Sequence, residues 1–213
     1  MILGLSFSGP GASYSTSIIP KNPSLAATLD LWDEQLAHRG ATIARYRFEA
    51  VEQLSQLAAK AHASLTGGKE TLSLRYITQA EESDTTGERL LARIRASRED
   101  DIRRLTTLVG VHRDDIAVMI DGKDARTFAS QGQQRSAVLS VKLAQLEMTE
   151  QIGGDSPILM LDDVMSELDP GRRRQLIERI DRVQTFVTCT DVTDLAGARS
   201  CDIYRVENGK LLT

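Results

Sequence analysis

The chain has 213 residues, 41% of them hydrophobic and 26% charged, and its 26 Lys+Arg against 30 Asp+Glu leave a net charge of −4. This is the composition of a globular protein of one large or two small domains. It sets aside membrane, secreted and fibrous classes, because no apolar run approaches the ~18 residues of a span and Met1–Ile19 has neither a charged n-region nor a continuous apolar stretch. With that charge, a nucleic-acid partner has to meet a local basic face. Cys189 and Cys201, the two cysteines, lack metal or redox spacing and are expected as reduced core thiols of a cytosolic protein.

Residues 1–24, with Gly9-Pro10-Gly11 and Pro20, show no periodicity and are expected to be a tail. From Leu25 the texture becomes helical. Leu29, Trp32 and Leu36, then Ile43, Tyr46, Ala50, Leu54, Leu57 and Ala61, trace an apolar stripe that ends at Gly67-Gly68. Leu72, Leu74 and Tyr76 alternate as a short strand, Glu81–Gly87 is a polar break, and Glu88–Leu108 is predicted as a second, exposed helix. Residues 25–105 are thus expected to form a helical arm or lobe.

The remainder, 106–213, has the texture of an α/β sheet. Ile116, Val118 and Ile120 lead into the Asp121-Gly122 hairpin turn. Ser130 opens a helix to about Gln151, and Pro157–Leu161 is predicted as a strand buried on both faces. Pro170 starts another helix carrying Leu176, Ile177 and Ile180, and further strands are expected at Phe186–Thr188 and Ile203–Val206, the last closed by Asn208-Gly209.

Three motifs in this half could carry chemistry. Ile158–Leu161 ends in Asp162-Asp163, placing two carboxylates at the C-terminal end of an apolar strand, where open α/β sheets bind ligands. One aspartate there suits a hard cation such as Mg²⁺, and the other could activate water; an acidic turn after a core strand would look the same. Ser130-Gln131-Gly132-Gln133 has the spacing of a capping box, which is structural reason enough for Ser130 and Gln133. It also offers free helix N–H groups and a glycine to an anion. Ser166-Glu167-Leu168-Asp169 before Pro170 is by itself a helix start.

Taken in order, the three motifs resemble the signature motif (130–136), Walker B strand (158–163) and D-loop (166–169) of the ABC-type ATPases of DNA repair. The likeness is strongest to the RecF family, which Gly110-Val111-His112-Arg113-Asp114-Asp115 and Leu31–Ala37 also resemble, and it runs from about Leu25 to Leu212. It implies the C-terminal part of an ABC-type ATPase head, a mixed sheet with flanking helices, plus a helical arm. It further implies a cytoplasmic, ATP- and Mg²⁺-dependent homodimeric clamp on DNA junctions. In the family such a clamp helps load the RecA recombinase with partners of the RecF pathway. Carried over by position, Asp162 would help hold Mg²⁺ and Asp163 would act on water. Ser130, Gln131, Gly132 and Gln133 would meet the nucleotide across the dimer, and Ser166 and Asp169 would couple the two sites.

The chain departs from this pattern in one respect. No Gly-x-x-x-x-Gly-Lys-Ser/Thr run surrounds a phosphate: Gly68-Lys69, Gly122-Lys123 and Gly209-Lys210 continue with Glu70, Asp124 and Leu211. The chain is expected to be a truncated product, without ATPase activity alone and with an unpaired sheet edge that favours association. Thr190-Asp191, where many ABC ATPases place a switch histidine, is a weak nucleotide-sensing candidate. His38 and His62 are expected to be solvated and His112 to lie in a surface ion-pair cluster. Arg89, Arg93, Arg95, Arg98, Arg103 and Arg104 are expected to form a solvated face, and Arg172-Arg173-Arg174 could touch DNA phosphates.

Overall fold

Pro23–Thr66 forms one continuous helix, α1, in a computed structural model that describes residues 23–154, 157–195, 197–198 and 201–212, with side chains from Thr28 onward. Apart from Pro23 and Ser24, which open α1, the expected tail lies outside the described residues. Then follow β1 (Leu72–Ile77), α2 (Glu88–Arg104), β2 (Asp115–Ile120), β3 (Lys123–Asp124), α3 (Ala125–Phe128), α4 (Gln131–Gly153) and β4 (Leu159–Asp162). The last elements are α5 (Pro170–Ile180), β5 (Thr185–Thr188), β6 (Arg205–Glu207) and β7 (Lys210–Leu212). Strands β1-β2-β3 form one sheet, β4-β5 a parallel pair and β6-β7 a hairpin. The α/β expectation holds, carried among the described residues by three small sheets.

The chain divides into two compact units, one taking residues up to Ala50 with Tyr76–Ile116, the other Val51–Arg75 with Ala117 onward. In the first unit the core is Ala37, Ala44, Ala80, Leu90 and Ile94. The apolar stripe read from the sequence is out of phase here, since Trp32, Ile43 and Tyr46 are exposed. Small residues face inward instead, because α2 packs close: a Cβ on Gly40 would stand 2.9 Å from Leu90 Cδ2. Helix α2 is therefore less exposed than expected. It also stops at Arg104, where Leu105 turns into the left-handed region.

Its start is capped from a distance. Asp84 accepts from the N–H groups of Gly87 and Leu90, both at 3.0 Å, meeting donors that a helix leaves without partners. Gly87 has φ 86°, and an added Cβ would lie 2.6 Å from the Ala37 carbonyl oxygen, so only glycine fits.

Arg47 of α1, Tyr76 of β1 and Asp114, just before β2, meet in this unit. Arg47 donates to Asp114 Oδ2 at 3.0 Å, and Tyr76 donates to the same oxygen. The Asp114 side chain is 3% exposed. His112 and Arg113 both reach the Thr107 carbonyl, so they are tied by backbone rather than by an ion-pair cluster. The arginines of α2, expected on a solvated face, are mostly engaged in ion pairs with residues outside the helix: Glu81 for Arg89 and Arg93, Glu34 for Arg95, and Asp30 and Asp33 for Arg98.

In the second unit Ala61 and Leu65 of α1 join Leu139 and Leu143 of α4, Leu161 of β4, Met165, Leu168, and Leu176, Ile177 and Ile180 of α5. Burying one such leucine contributes roughly 1.5–3 kcal/mol. Two expectations are corrected here. β4 is not buried on both faces: Leu161 is in the core, but Ile158 is 59% and Met160 79% exposed, because among the described residues β4 pairs with β5 alone and packs by one face. Cys189 is half-buried and Cys201 exposed, so both thiols are free but neither is in the core.

Candidate functional site

Strand β4 delivers Asp162 as its last residue, and Asp163 follows with φ 52°, in the left-handed region that aspartate enters more readily than most residues. Parallel pairing with β5 sets Asp162 opposite Thr188. The Thr188 hydroxyl donates to Asp162 Oδ1 at 2.6 Å and accepts the Asp163 N–H at 2.9 Å. Ser166 closes the turn by donating its hydroxyl to the Asp163 carbonyl at 3.0 Å. Asp163 is thus fixed at both backbone ends while its carboxylate stays at the surface. Asp162, Asp163 and Ser166 are brought together; the sequence passes over Thr188, whose position opposite Asp162 is the signal that could have found it.

Helix α4 begins with the capping box expected from its spacing. Ser130 Oγ accepts from the Gln133 N–H at 3.3 Å, and Gln133 Oε1 accepts from the Ser130 N–H at 2.9 Å. Gln133 Nε2 donates to Glu70 at 3.3 Å, so this amide is engaged at both ends within the chain. Gln131 and Gly132 are exposed. A Cβ added to Gly132 would meet only the Arg172 guanidinium, at 3.7 Å, so the chain's own packing does not require glycine there.

Asp169 caps α5, accepting from the Gly171 and Arg172 N–H groups at 3.0 and 3.1 Å. Arg172 then donates to the Gly132 carbonyl at 3.3 Å and pairs with Asp169 at 3.4 Å and Glu70 at 3.8 Å. A second bridge, Arg135 to Glu167 at 3.2 Å, runs parallel to it. The start of α4 and the 166–172 segment are therefore cross-braced. Arg172 and Arg173 are occupied inside the chain, Arg173 with Asp194 and the Leu168 carbonyl, rather than presented as a basic tract.

His62 is the largest departure from expectation. It is fully buried, with Nδ1 at 3.0 Å from Ser140 Oγ and Nε2 at 3.1 Å from Glu70 Oε2. Near the carboxylate pair, Cys189 is pushed above its ordinary value by burial and then by Asp194, Asp191 and Asp163. Asp191 is held below the usual carboxylate range by the N–H and hydroxyl of Thr193.

No group of three or more His, Cys, Asp or Glu side chains is placed to hold a metal among the described residues. Mg²⁺ takes one or two carboxylates and completes its shell with water and phosphate oxygens, so Asp162, with Asp163 beside it, fits that ion as a partial donor set. A groove along α4 and β4, lined by Val138, Leu139, Leu159, Met160 and Val164, is bordered by Arg135 and Glu167 of the expected motifs but not by Asp162, Asp163 or residues 130–133.

Comparison with known proteins follows this geometry. The DNA replication and repair protein RecF of Clostridium botulinum strain Okra is 37% identical over 200 residues, which is 92% of this chain and 55% of that protein. RecF of Clostridium perfringens strain SM101 is 35% identical over 93% of this chain and 56% of its own length. A solved structure described as the recombination mediator protein RecF-ATPrS in the RecFOR pathway superimposes with a TM-score of 0.75 and 33% identity, over 92% of this chain and 53% of that one. The chain matches the C-terminal portion of RecF proteins.

A second RecF structure, described as RecF-ATP, agrees at a TM-score of 0.74 and 30% identity. The chain spans about half the length of the RecF relatives it matches. No family model matches it. No helix among the described residues is long and apolar enough to cross a membrane.

Proposed function

We propose that the chain is the signature-motif and Walker B part of a RecF-type DNA repair protein, an ATP-gated clamp on DNA that helps load a recombinase at single-strand gaps. The observation that carries this reading is the Thr188–Asp162–Asp163 arrangement: two carboxylate residues at a strand end, one held by its side chain and the other by its backbone. The RecF likeness over 92% of the chain supports it. In this reading residues 25–105 are the arm and 106–213 the C-terminal half of the ATPase head. The partners are DNA, recombination mediators and a second copy of the full protein.

The chemistry can be derived from the chain's own residues. Asp162 would present a carboxylate to Mg²⁺, whose role when bound is to neutralise charge developing on the phosphates. Asp163, with its backbone fixed and its carboxylate exposed, would orient the attacking water and take its proton. Ser130, Gln131 and Gly132 would turn the N-terminal end of a 23-residue helix toward the nucleotide of the partner head. Gln133 contributes by holding that end, since its amide is engaged. Ser166 and Asp169 would transmit the state of one site to the other, because they touch the Asp163 carbonyl and Arg172.

Supplying the RecF portion that the chain does not cover, as a fusion or in trans, is expected to give ATP hydrolysis. Asp163→Asn should then lower the rate 10²–10⁴-fold. Hydrolysis that survives this substitution would remove Asp163 from the role of base. The second reading is an interaction module without turnover. Titration of the isolated chain with a fluorescent Mg·ATP analogue bears on it: micromolar binding would count against that reading.

A further inference from the structure

Glu70 lies between Gly67-Gly68 and β1, in a stretch whose sequence carries no motif. Its carboxylate nevertheless meets three groups, and its side chain is only 16% exposed. One oxygen, Oε1, accepts from Gln133 Nε2 at 3.3 Å and faces the Arg172 guanidinium at 3.8 Å. The other, Oε2, stands 3.1 Å from Nε2 of the buried His62.

The far side of His62 is anchored as well. His62 Nδ1 stands 3.0 Å from Ser140 Oγ, and the Ser140 hydroxyl in turn donates to the Ser136 carbonyl at 2.6 Å. Both ring nitrogens are therefore engaged. The imidazole is locked against α4 one turn beyond Ser136, which itself donates to the Gly132 carbonyl at 2.8 Å. Arg172 donates to that same carbonyl. Glu70 thus reaches the first turn of α4 through Gln133 and Arg172, and through His62 it reaches Ser140, whose hydroxyl is tied back to Ser136.

We infer that Glu70 is a positioning residue that sets the start of α4, holding Gln133 and Arg172 with one oxygen and leaning on His62 with the other. A mostly buried carboxylate that meets a glutamine, an arginine and a histidine at once fixes their mutual geometry more tightly than separate surface pairs would. This deepens the nucleotide reading above and rests on it for its consequence. If residues 130–132 approach a phosphate, Glu70 sets the angle at which they do so without touching the ligand.

The test is amide exchange, resolved by residue, on the chain itself and on its Glu70→Ala and Glu70→Gln variants. Exchange at Gln134, Arg135 and Ser136 is expected to rise about tenfold in both variants, as befits loss of roughly one hydrogen bond's worth of local stability, with the last turns of α4 unchanged. Unchanged exchange at these three amides, or an equal rise along the whole helix, would overturn the inference. A second readout uses the chain completed with the rest of RecF. There Glu70→Gln should lower kcat about tenfold with the KM for ATP within about twofold, whereas unaltered kcat would reduce Glu70 to a purely structural role. If the completed wild-type protein hydrolyses no ATP, the nucleotide reading fails, and the exchange data still decide whether Glu70 sets α4.

Discussion

Thr188 holds Asp162 by a 2.6 Å hydrogen bond from its hydroxyl to Oδ1, and the Thr188 hydroxyl oxygen itself accepts the N–H of the next residue, Asp163. One small side chain on β5 thereby fixes both acidic residues that follow the apolar strand.

Replacing it tests that dependence. Thr188→Val keeps the β-branched shape that suits a strand but removes donor and acceptor together. Because the bonds are exposed, the expected cost in stability is about 1 kcal/mol. In the completed protein, hydrolysis should fall at least tenfold, while Thr188→Ser should stay near wild type. A Val variant that hydrolyses normally would show that Asp163 keeps its place without Thr188.

Gly132 separates what the fold needs from what a ligand needs. Among the described residues outside its own helical backbone, none stands closer than 3.7 Å to an added Cβ, and the residue lies in the first turn of α4. Gly132→Ala is expected to leave the urea midpoint unchanged or raise stability by about 0.4–1 kcal/mol, through loss of unfolded-state freedom. The same variant should lower ATP hydrolysis in the completed protein, since the methyl projects where the phosphate would approach. Loss of stability together with activity would indicate a packing role instead.

The Tyr76 phenol gives the first unit a pH signature. Burial, and next the hydrogen bond donated to Asp114, push it above its ordinary value, against a smaller downward pull from Arg47. A group raised in the folded state stabilises fully below its unfolded value, near pH 10 for tyrosine. That contribution is lost as pH rises through the folded value. Urea unfolding between pH 8 and 11 should therefore show wild type losing stability faster than Tyr76→Phe, which keeps the edge-on ring contact with Phe48. Parallel decline of the two proteins would mean that the phenol is not coupled to folding.

Much of this molecule was legible in its sequence where the signal is local. The capping box at Ser130 and Gln133, Pro170 opening α5 and the Asp121-Gly122 and Asn208-Gly209 turns each depend on a few neighbouring residues, and each appears as expected. What failed depended on partners far along the chain. The phase of α1 departs from its apolar stripe at Trp32 and Tyr46 because small residues face α2. His62 looked like a surface residue because its partners, Ser140 and Glu70, are invisible to helical periodicity. β4 read as doubly buried because four apolar residues in a row do not reveal whether a strand has something to pack against on each side.

The interleaved division of the chain has a consequence for its birth on the ribosome. Everything the first unit requires has been synthesised once Ile116 emerges, whereas Val51–Arg75, made earlier, belongs to a unit whose other partners begin at Ala117. Ala61 and Leu65 must therefore wait, apolar and uncovered, until α4 and α5 follow. Chains fold progressively as they are made, so slow translation anywhere between Arg75 and Ile180 would prolong the interval in which this segment is open to chaperones, while a pause after Ile180 would not.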